Sequence, residues 1–425
     1  MIKDSESPFL PFLHKTTTRV KTSCQIVADF KASIRMRLST LFLLSRAFPG
    51  LLPAQAAKHH LFVGTFQDRA LYALEFDDVN LALTLTTNIS ASDTHTWITL
   101  SHNCKALYGS GIGSGAWYSY TINNSSSITP SGAVPLKGNC ISALPGVNAG
   151  NGPSGLHSVA GSTPPYAFYG AGPTCGNVLS VDPTTSALLS VSQEIPYSFN
   201  STTFSITSTL MHGFALSADG RFLYGVDTRG NSLWIYSVDK TTGHLNLISA
   251  MPGPVPGANP RHVATHPSGG YLYVALEGAN ALTQYKVDKK TGLPARESTS
   301  YPLIKPGLNP SAWWPDEVMI SHSAKYLWAT NRGRQAGTKG FISAFRLGDS
   351  GEIERQLFLM ETTTSGGSAN AVTPAPFGDE WVALTDTEKG LVQIWRFDVV
   401  KEEVEVVAEV GIPVGRCCAN AVWYD

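Results

Sequence analysis

The chain has 425 residues, 43% hydrophobic and only 15% charged, with a formal net charge of -1. This near-neutral balance, without any block of like charge, excludes a field for nucleic acid or an anionic membrane. With 39 Gly, 26 Pro and 9 Trp against so few charges, the composition points to many short strands and tight turns, an all-β fold.

Residues 1–57 read as a tail ahead of one large domain over 58–425. Up to about Ile34 the tail is polar, mixed in charge and aperiodic. From Met36, basic residues precede an apolar run in RMRLSTLFLL, and Ala54, Gln55 and Ala56 form a small-x-small cleavage pattern. This is the layout of a secretory signal read from an internal Met, with Arg46 interrupting the apolar run. A secreted protein is expected, with a cytoplasmic one as the alternative if the segment is not a signal. No other apolar stretch is long enough to span a bilayer, so no membrane span is expected in the mature chain.

Sequons at Asn88, Asn123, Asn124 and Asn200 are glycosylation candidates. Beyond the tail stand Cys104, Cys140, Cys175, Cys417 and Cys418, an odd count that allows up to two disulfides and a free thiol. Cys417 and Cys418 are adjacent and poorly placed to bond each other. Neither Cys-x-x-Cys nor His-Glu-x-x-His occurs, so nothing argues for zinc.

The clearest internal unit is HGFALSADGRFLYGVDTRGNSLWIYSVDKTTGHLNLIS, followed by PRHVATHPSGGYLYVALEGANALTQYKVDKKTGLPARES. Each holds an apolar run, a Gly-containing turn, an aromatic strand, a Gly-Asn-type turn, a strand ending in Val-Asp and a Lys-Thr-Gly-type turn, which makes four short strands. Repeats of this size predict propeller blades, because one such sheet must stack on neighbours to bury both faces. Units begin near Thr96, His157, His212, Arg261, Asp316 and Asn370. The C-terminal CANAVWYD repeats the ANAV of the sixth unit, while HHLFVGTFQDRALYALEFDDVNLALTLTT supplies strands at the start. The fold class is therefore a seven-bladed β-propeller in which N- and C-terminal strands share one blade and close the ring.

His212 and Arg261 each lie twelve residues before an aromatic in a Leu-aromatic-small run, Tyr224 and Tyr273. The same step back from Trp328 reaches Asp316, and from Tyr169 reaches His157. Completed, the ring reads Thr96, His157, His212, Arg261, Asp316, Asn370 and Asn420. His157, Asp316, Asn370 and Asn420 are candidate channel-lining residues, polar because they face a water-filled channel. A second register, four residues past the same aromatics, holds Glu277 and Arg332. Two guanidiniums suit planar recognition of carboxylates, and His and Glu move protons, so His212, Arg261, Glu277 and Arg332 suit proton transfer on a small polycarboxylate. Taken singly, each residue also reads as a channel group or a surface ion pair.

From about Lys58 to Asp425 the chain resembles the fungal 3-carboxy-cis,cis-muconate cyclases, seven-bladed propellers of a lactonase-like group. The resemblance rests on MHGFALSADGRFLYGVD, NPRHVATHPSGGYLYVALEGAN, YPLIKPG, IERQLFLMETTTSGGSANAV, DEWVALTD and NAVWYD. It implies an intramolecular lyase that closes a lactone on a polycarboxylate diene, without cofactor. It assigns Arg261 and Arg332 to carboxylate binding and His212 and Glu277 to proton donation, the order within that pair left open. The chain departs from the pattern at Ser368, where the family is expected to carry His, and in the Gly/Ser-rich second and third blades. Two other readings stand beside it: a lactonase-like hydrolase acting on a lactone, and a secreted, glycosylated binding propeller without turnover. Self-association is left open.

Overall fold

The computed structural model describes residues 57–112, 114–136, 155–200, 205–206, 208–412 and 417–424. The signal-like segment, Cys140 and the side chain of Asn200 lie outside what is described.

Seven four-stranded antiparallel sheets follow one another round the ring, with a small extra hairpin of Phe199–Asn200 and Ser205–Ile206. Numbered from the blade that joins both chain ends, their innermost strands are Cys417–Trp423, Ile98–Leu100, His157–Ala160, Met211–Leu216, Pro260–Thr265, Trp313–Ile320 and Val372–Pro374. Blade 1 is closed as the sequence predicts: Trp423, Val422 and Ala421 pair with Leu61, Phe62 and Val63. The last strand thus zips onto the first and leaves the ring without an open seam.

The turns follow directly from the sequence. In the turn after the third strand of blades 4 and 5, Asp239 Oδ1 accepts from the backbone of Thr241 and Thr242, and Asp288 Oδ1 from Lys290 and Thr291. Gly243 and Gly292 then take φ of +74°, where a β-carbon is costly. This side-chain mimicry of a backbone turn explains why Val-Asp followed by Thr-Gly marks these two hairpins.

Seven apolar clusters fill the seven seams between neighbouring blades. The aromatics that set the sequence register form their centres: Tyr224 lies between blades 4 and 5, Tyr273 between blades 5 and 6, and Trp328 between blades 6 and 7. Tyr273 and Trp328 are fully buried. Each aromatic spans the roughly 10 Å between packed sheets that smaller side chains would leave unfilled.

The cysteine reading needs one correction. Cys417 and Cys418 are bonded to each other. Their Cα atoms are only 3.1 Å apart, closer than the roughly 3.8 Å of a trans peptide, and this brings the sulfurs within reach. Cys104 and Cys175 each also take part in a disulfide, and no described cysteine is free.

Candidate active site

The inner strands of blades 4, 5 and 6 each carry a register shift near the same mouth of the channel, between Met211 and Gly213, Pro260 and His262, and Pro315 and Val318. A bulge leaves its extra residue unpaired and re-aims its side chain. His212, Arg261 and Asp316 occupy these bulges, which is why they turn toward the axis together. Glu277 immediately follows the second strand of blade 5, and Arg332 lies near the end of that of blade 6, opposite Trp314. Both therefore reach the same mouth as the first register.

Four predicted groups meet there. Arg261 Nη1 donates to His212 Nε2 at 2.6 Å and to Glu277 Oε2 at 3.2 Å. Arg332 Nη2 donates to the same Glu277 oxygen at 3.1 Å, so one carboxylate bridges two guanidiniums. Asp316 backs them: its Oδ1 accepts from Arg261 Nε at 3.1 Å and Nη2 at 2.9 Å, and its Oδ2 from the Asn370 backbone at 2.7 Å. A cavity opens over this cluster, lined among others by Thr96, Trp97, His212, Arg261, His262 and Asp316.

The electrostatics follow from burial and neighbours. Burial would raise the Asp316 carboxyl, but Arg332 and Arg261 outweigh it and hold it at about 2, ionised at any working pH. Burial, and then the field of Arg261, bring Arg332 down to about 10, against the opposing pull of Asp316 and Glu277. Burial and then Arg261 also push His212 well below its ordinary value, so its imidazole is neutral. The cluster thus holds two guanidiniums against Asp316 and Glu277, with neutral histidine beside them.

Of the remaining ring positions Thr96 and Asn420 line the cavity, and all four make framework contacts. Asn420 spends its amide on the next blade, accepting from Ile98 N and donating to Ile98 O, both at 2.9 Å. Asn370 donates to the Asn331 carbonyl at 3.3 Å, and Thr96 Oγ1 lies 3.2 Å from Ser110 Oγ. His157 is one residue out of register with the ring. Blade 3 has no bulge at this point: His157 pairs with Ala171 and Val159 with Tyr169, whereas Ala264 faces Tyr273. The equivalent of Arg261 is therefore Leu156, which does line the cavity, while His157 is buried one layer below and accepts from Phe214 N at 3.2 Å. Ser368, exposed at its side chain, gives its carbonyl to Arg332 Nη1 at 2.5 Å.

A family model described as "Lactonase, 7-bladed beta-propeller" matches residues 175–369. The carboxy-cis,cis-muconate cyclase of Neurospora crassa is 34% identical over 383 residues, spanning 86% of this chain and 99% of that protein. The chain belongs to the carboxy-cis,cis-muconate cyclase family. Muconate cycloisomerase 1 of Cutaneotrichosporon cutaneum is 32% identical over 221 residues, 50% of this chain and 58% of that protein. Among solved structures, a putative 6-phosphogluconolactonase from Bacteroides fragilis superposes with a TM-score of 0.69 at 14% identity, over 89% of this chain and all (100%) of that one. The periplasmic gluconolactonase of Pseudomonas aeruginosa gives 0.69 at 16% identity, over 87% and 99%. These last two establish a shared fold.

Three groups at or behind this candidate site escaped the sequence reading: Trp97, His262 and Glu317. The Trp97 ring lies 4.1 Å from that of His157 and 5.2 Å from that of His262, flooring the cavity with apolar surface. His262 and Glu317 directly follow Arg261 and Asp316, and their register equivalent in blade 4 is Gly213. A repeat scan that follows only the most polar column passes over them.

Proposed function

We propose that this protein is an intramolecular lyase that closes a lactone on a polycarboxylate diene such as 3-carboxy-cis,cis-muconate. The observation that carries this reading is the guanidinium of Arg261, which lines the cavity beside His212 and is bridged through Glu277 to the buried guanidinium of Arg332 behind it. One substrate carboxylate attacks a conjugated carbon of the same molecule, and the neighbouring carbon takes up a proton. Negative charge builds on the carboxylate conjugated to that carbon. Guanidiniums held in place by Asp316 meet that charge without reorganising, so they stabilise the transition state more than the ground state. A carboxylate arriving at Arg261 competes with Glu277 for its N–H groups. His212 and Glu277 flank the reacting carbon as the proton-handling pair. No residue of this scheme requires a metal or organic cofactor.

Incubation of the purified protein with 3-carboxy-cis,cis-muconate should remove the diene absorbance and yield a single lactone with one new C–H bond, read by NMR. Hydrolysis of a gluconolactone with no action on the triacid would replace this reading with the hydrolase.

Export is proposed alongside. Asn88, Asn123 and Asn124 are exposed, and the bonded cysteines suit an oxidising compartment. Glycosidase-sensitive protein in culture medium, beginning near Lys58, is the expected result; an intact N-terminus inside cells would reject export.

A further inference from the structure

Behind His212 lies a row of groups that the four-residue site does not use. His212 Nδ1 stands 3.1 Å from His262 Nε2. His262 Nδ1 in turn stands 2.8 Å from Glu317 Oε2, off the straight hydrogen-bond line, and neither atom has another partner among the described residues. Both side chains are 4% exposed, so water does not serve them. A carboxyl group placed there is costly unless it has work or a partner.

The donors fix how this row is wired. A guanidinium can only donate, so Arg261 Nη1 requires a lone pair on His212 Nε2. Neutral His212 then carries its proton on Nδ1 and donates to His262 Nε2, which leaves the His262 proton on Nδ1, aimed at Glu317. The reverse setting has both imidazole protons on Nε2 and the third on Glu317, and it presents a His212 N–H to the cavity. Passing between the settings moves three protons by one bond each and releases one into the cavity.

We propose that Glu317 and His262 form a proton store and wire behind His212, and that His212, fed by this wire, rather than Glu277, delivers the proton to the substrate carbon. The inference rests on the lyase reading above. A substrate carboxylate that engages Arg261 takes over the N–H now occupying His212 Nε2, and the freed nitrogen takes up one proton from water, which passes the row into the reverse setting with the third proton on Glu317. His212 Nε2–H passes to carbon, His262 Nε2–H to His212 Nδ1, and the Glu317 proton to His262 Nδ1; Glu317 ends as carboxylate, and the row is reloaded from water when the next substrate frees His212 Nε2. Glu277, by contrast, touches two guanidiniums and has no such supply line. The surrounding charges fit. Burial, and then the neighbouring Asp316, push Glu317 well above the ordinary carboxyl range, with Arg261 opposing. Burial, and then Arg261, bring His262 down to about 3; Arg332 acts with Arg261, while Asp316 and Glu277 oppose, and the His157 ring lies 5.2 Å away. These surroundings keep both imidazoles neutral and favour a proton at the Glu317 end once the Arg261 N–H has left His212 Nε2. Glu317 and His262 act through His212 and are positioning residues.

Glu317→Gln keeps the shape and hydrogen-bonding capacity of the side chain but carries no transferable proton. With 3-carboxy-cis,cis-muconate as the probe, kcat should fall roughly 100-fold while KM stays within about twofold, the pattern of a lost proton-transfer contribution. The wild-type fall of kcat on the alkaline side, as Glu317 ionises, should vanish in the variant. A variant with wild-type kcat and wild-type pH profile would overturn the wire and leave the lyase standing. Failure of the wild type to turn over would instead remove the lyase reading, and 15N NMR of the histidines then decides the wire. His212 and His262 should exchange tautomer in a single pH step that Glu317→Gln abolishes; tautomers that stay fixed across that range would overturn it.

Discussion

Asp316 holds Arg261 by two hydrogen bonds to one oxygen, 3.1 Å from Nε and 2.9 Å from Nη2, across the seam between blades 5 and 6. With a side chain 3% exposed and a carboxyl held at about 2, it is the fixed anion that lets the guanidiniums of Arg261 and Arg332 lie side by side at this mouth. Asp316→Asn should therefore destabilise the fold by about 3–5 kcal/mol, the cost of leaving a buried charge unpaired. Urea unfolding at neutral pH measures this, and a loss under about 1 kcal/mol would show that the guanidiniums find other partners.

Acid should loosen the propeller well above the range where its carboxylates titrate. His95, His157, His212 and His262 are all depressed by burial, His262 to about 3. Each folded value lies below the ordinary 6.5 of the unfolded chain, so the unfolded state binds more protons between them. Stability is fully present above pH 6.5 and is lost as pH falls toward the folded values, by about 1.4 kcal/mol per unit for each histidine kept neutral. Unfolding midpoints should fall steadily from pH 7 to pH 5, with net proton uptake on unfolding; a flat profile would contradict the burial of these rings.

Glu317 works in the opposite sense. Its folded value is raised above the unfolded one, so its contribution is intact at pH below about 4.5 and declines as pH rises through the folded value. Glu317→Gln should be at least as stable as wild type at pH 8, and the gap between them should close by pH 4. A variant less stable at pH 8 would mean that the carboxyl is held there for structure.

The aromatic register carried in the sequence proved to be the seam-filling core, and the pairing of both termini in blade 1 was legible because CANAVWYD repeats SANAV without the strands to complete it. His212, Arg261, Glu277 and Arg332 were legible because two polar columns recur at one spacing. The placement of His157 was not, because counting residues assumes a bulge that blade 3 lacks. Glu317 was hidden for a related reason: blade 6 shifts register over two residues, Asp316 and Glu317, and a column count retains only the first. The bond between Cys417 and Cys418 depends on a local Cα separation that composition does not encode.

Removal of residues 417–425 should prevent folding. It strips blade 1 of its inner strand, exposes the Leu61 edge, and takes Cys417, Ala421 and Trp423 out of the cluster shared with blade 7. Loss of soluble protein, or of the cooperative thermal transition by circular dichroism, is the expected outcome. A soluble, cooperatively folding truncation would show that the other six blades close without it.

The most direct test of the account compares kcat/KM for 3-carboxy-cis,cis-muconate between wild type and Arg261→Ala, following the diene absorbance. Wild-type turnover that falls by about 100- to 1000-fold in the variant is predicted, the range for removing a preorganised donor to developing charge. Turnover that persists in Arg261→Ala at the wild-type rate would place the chemistry elsewhere and contradict the account.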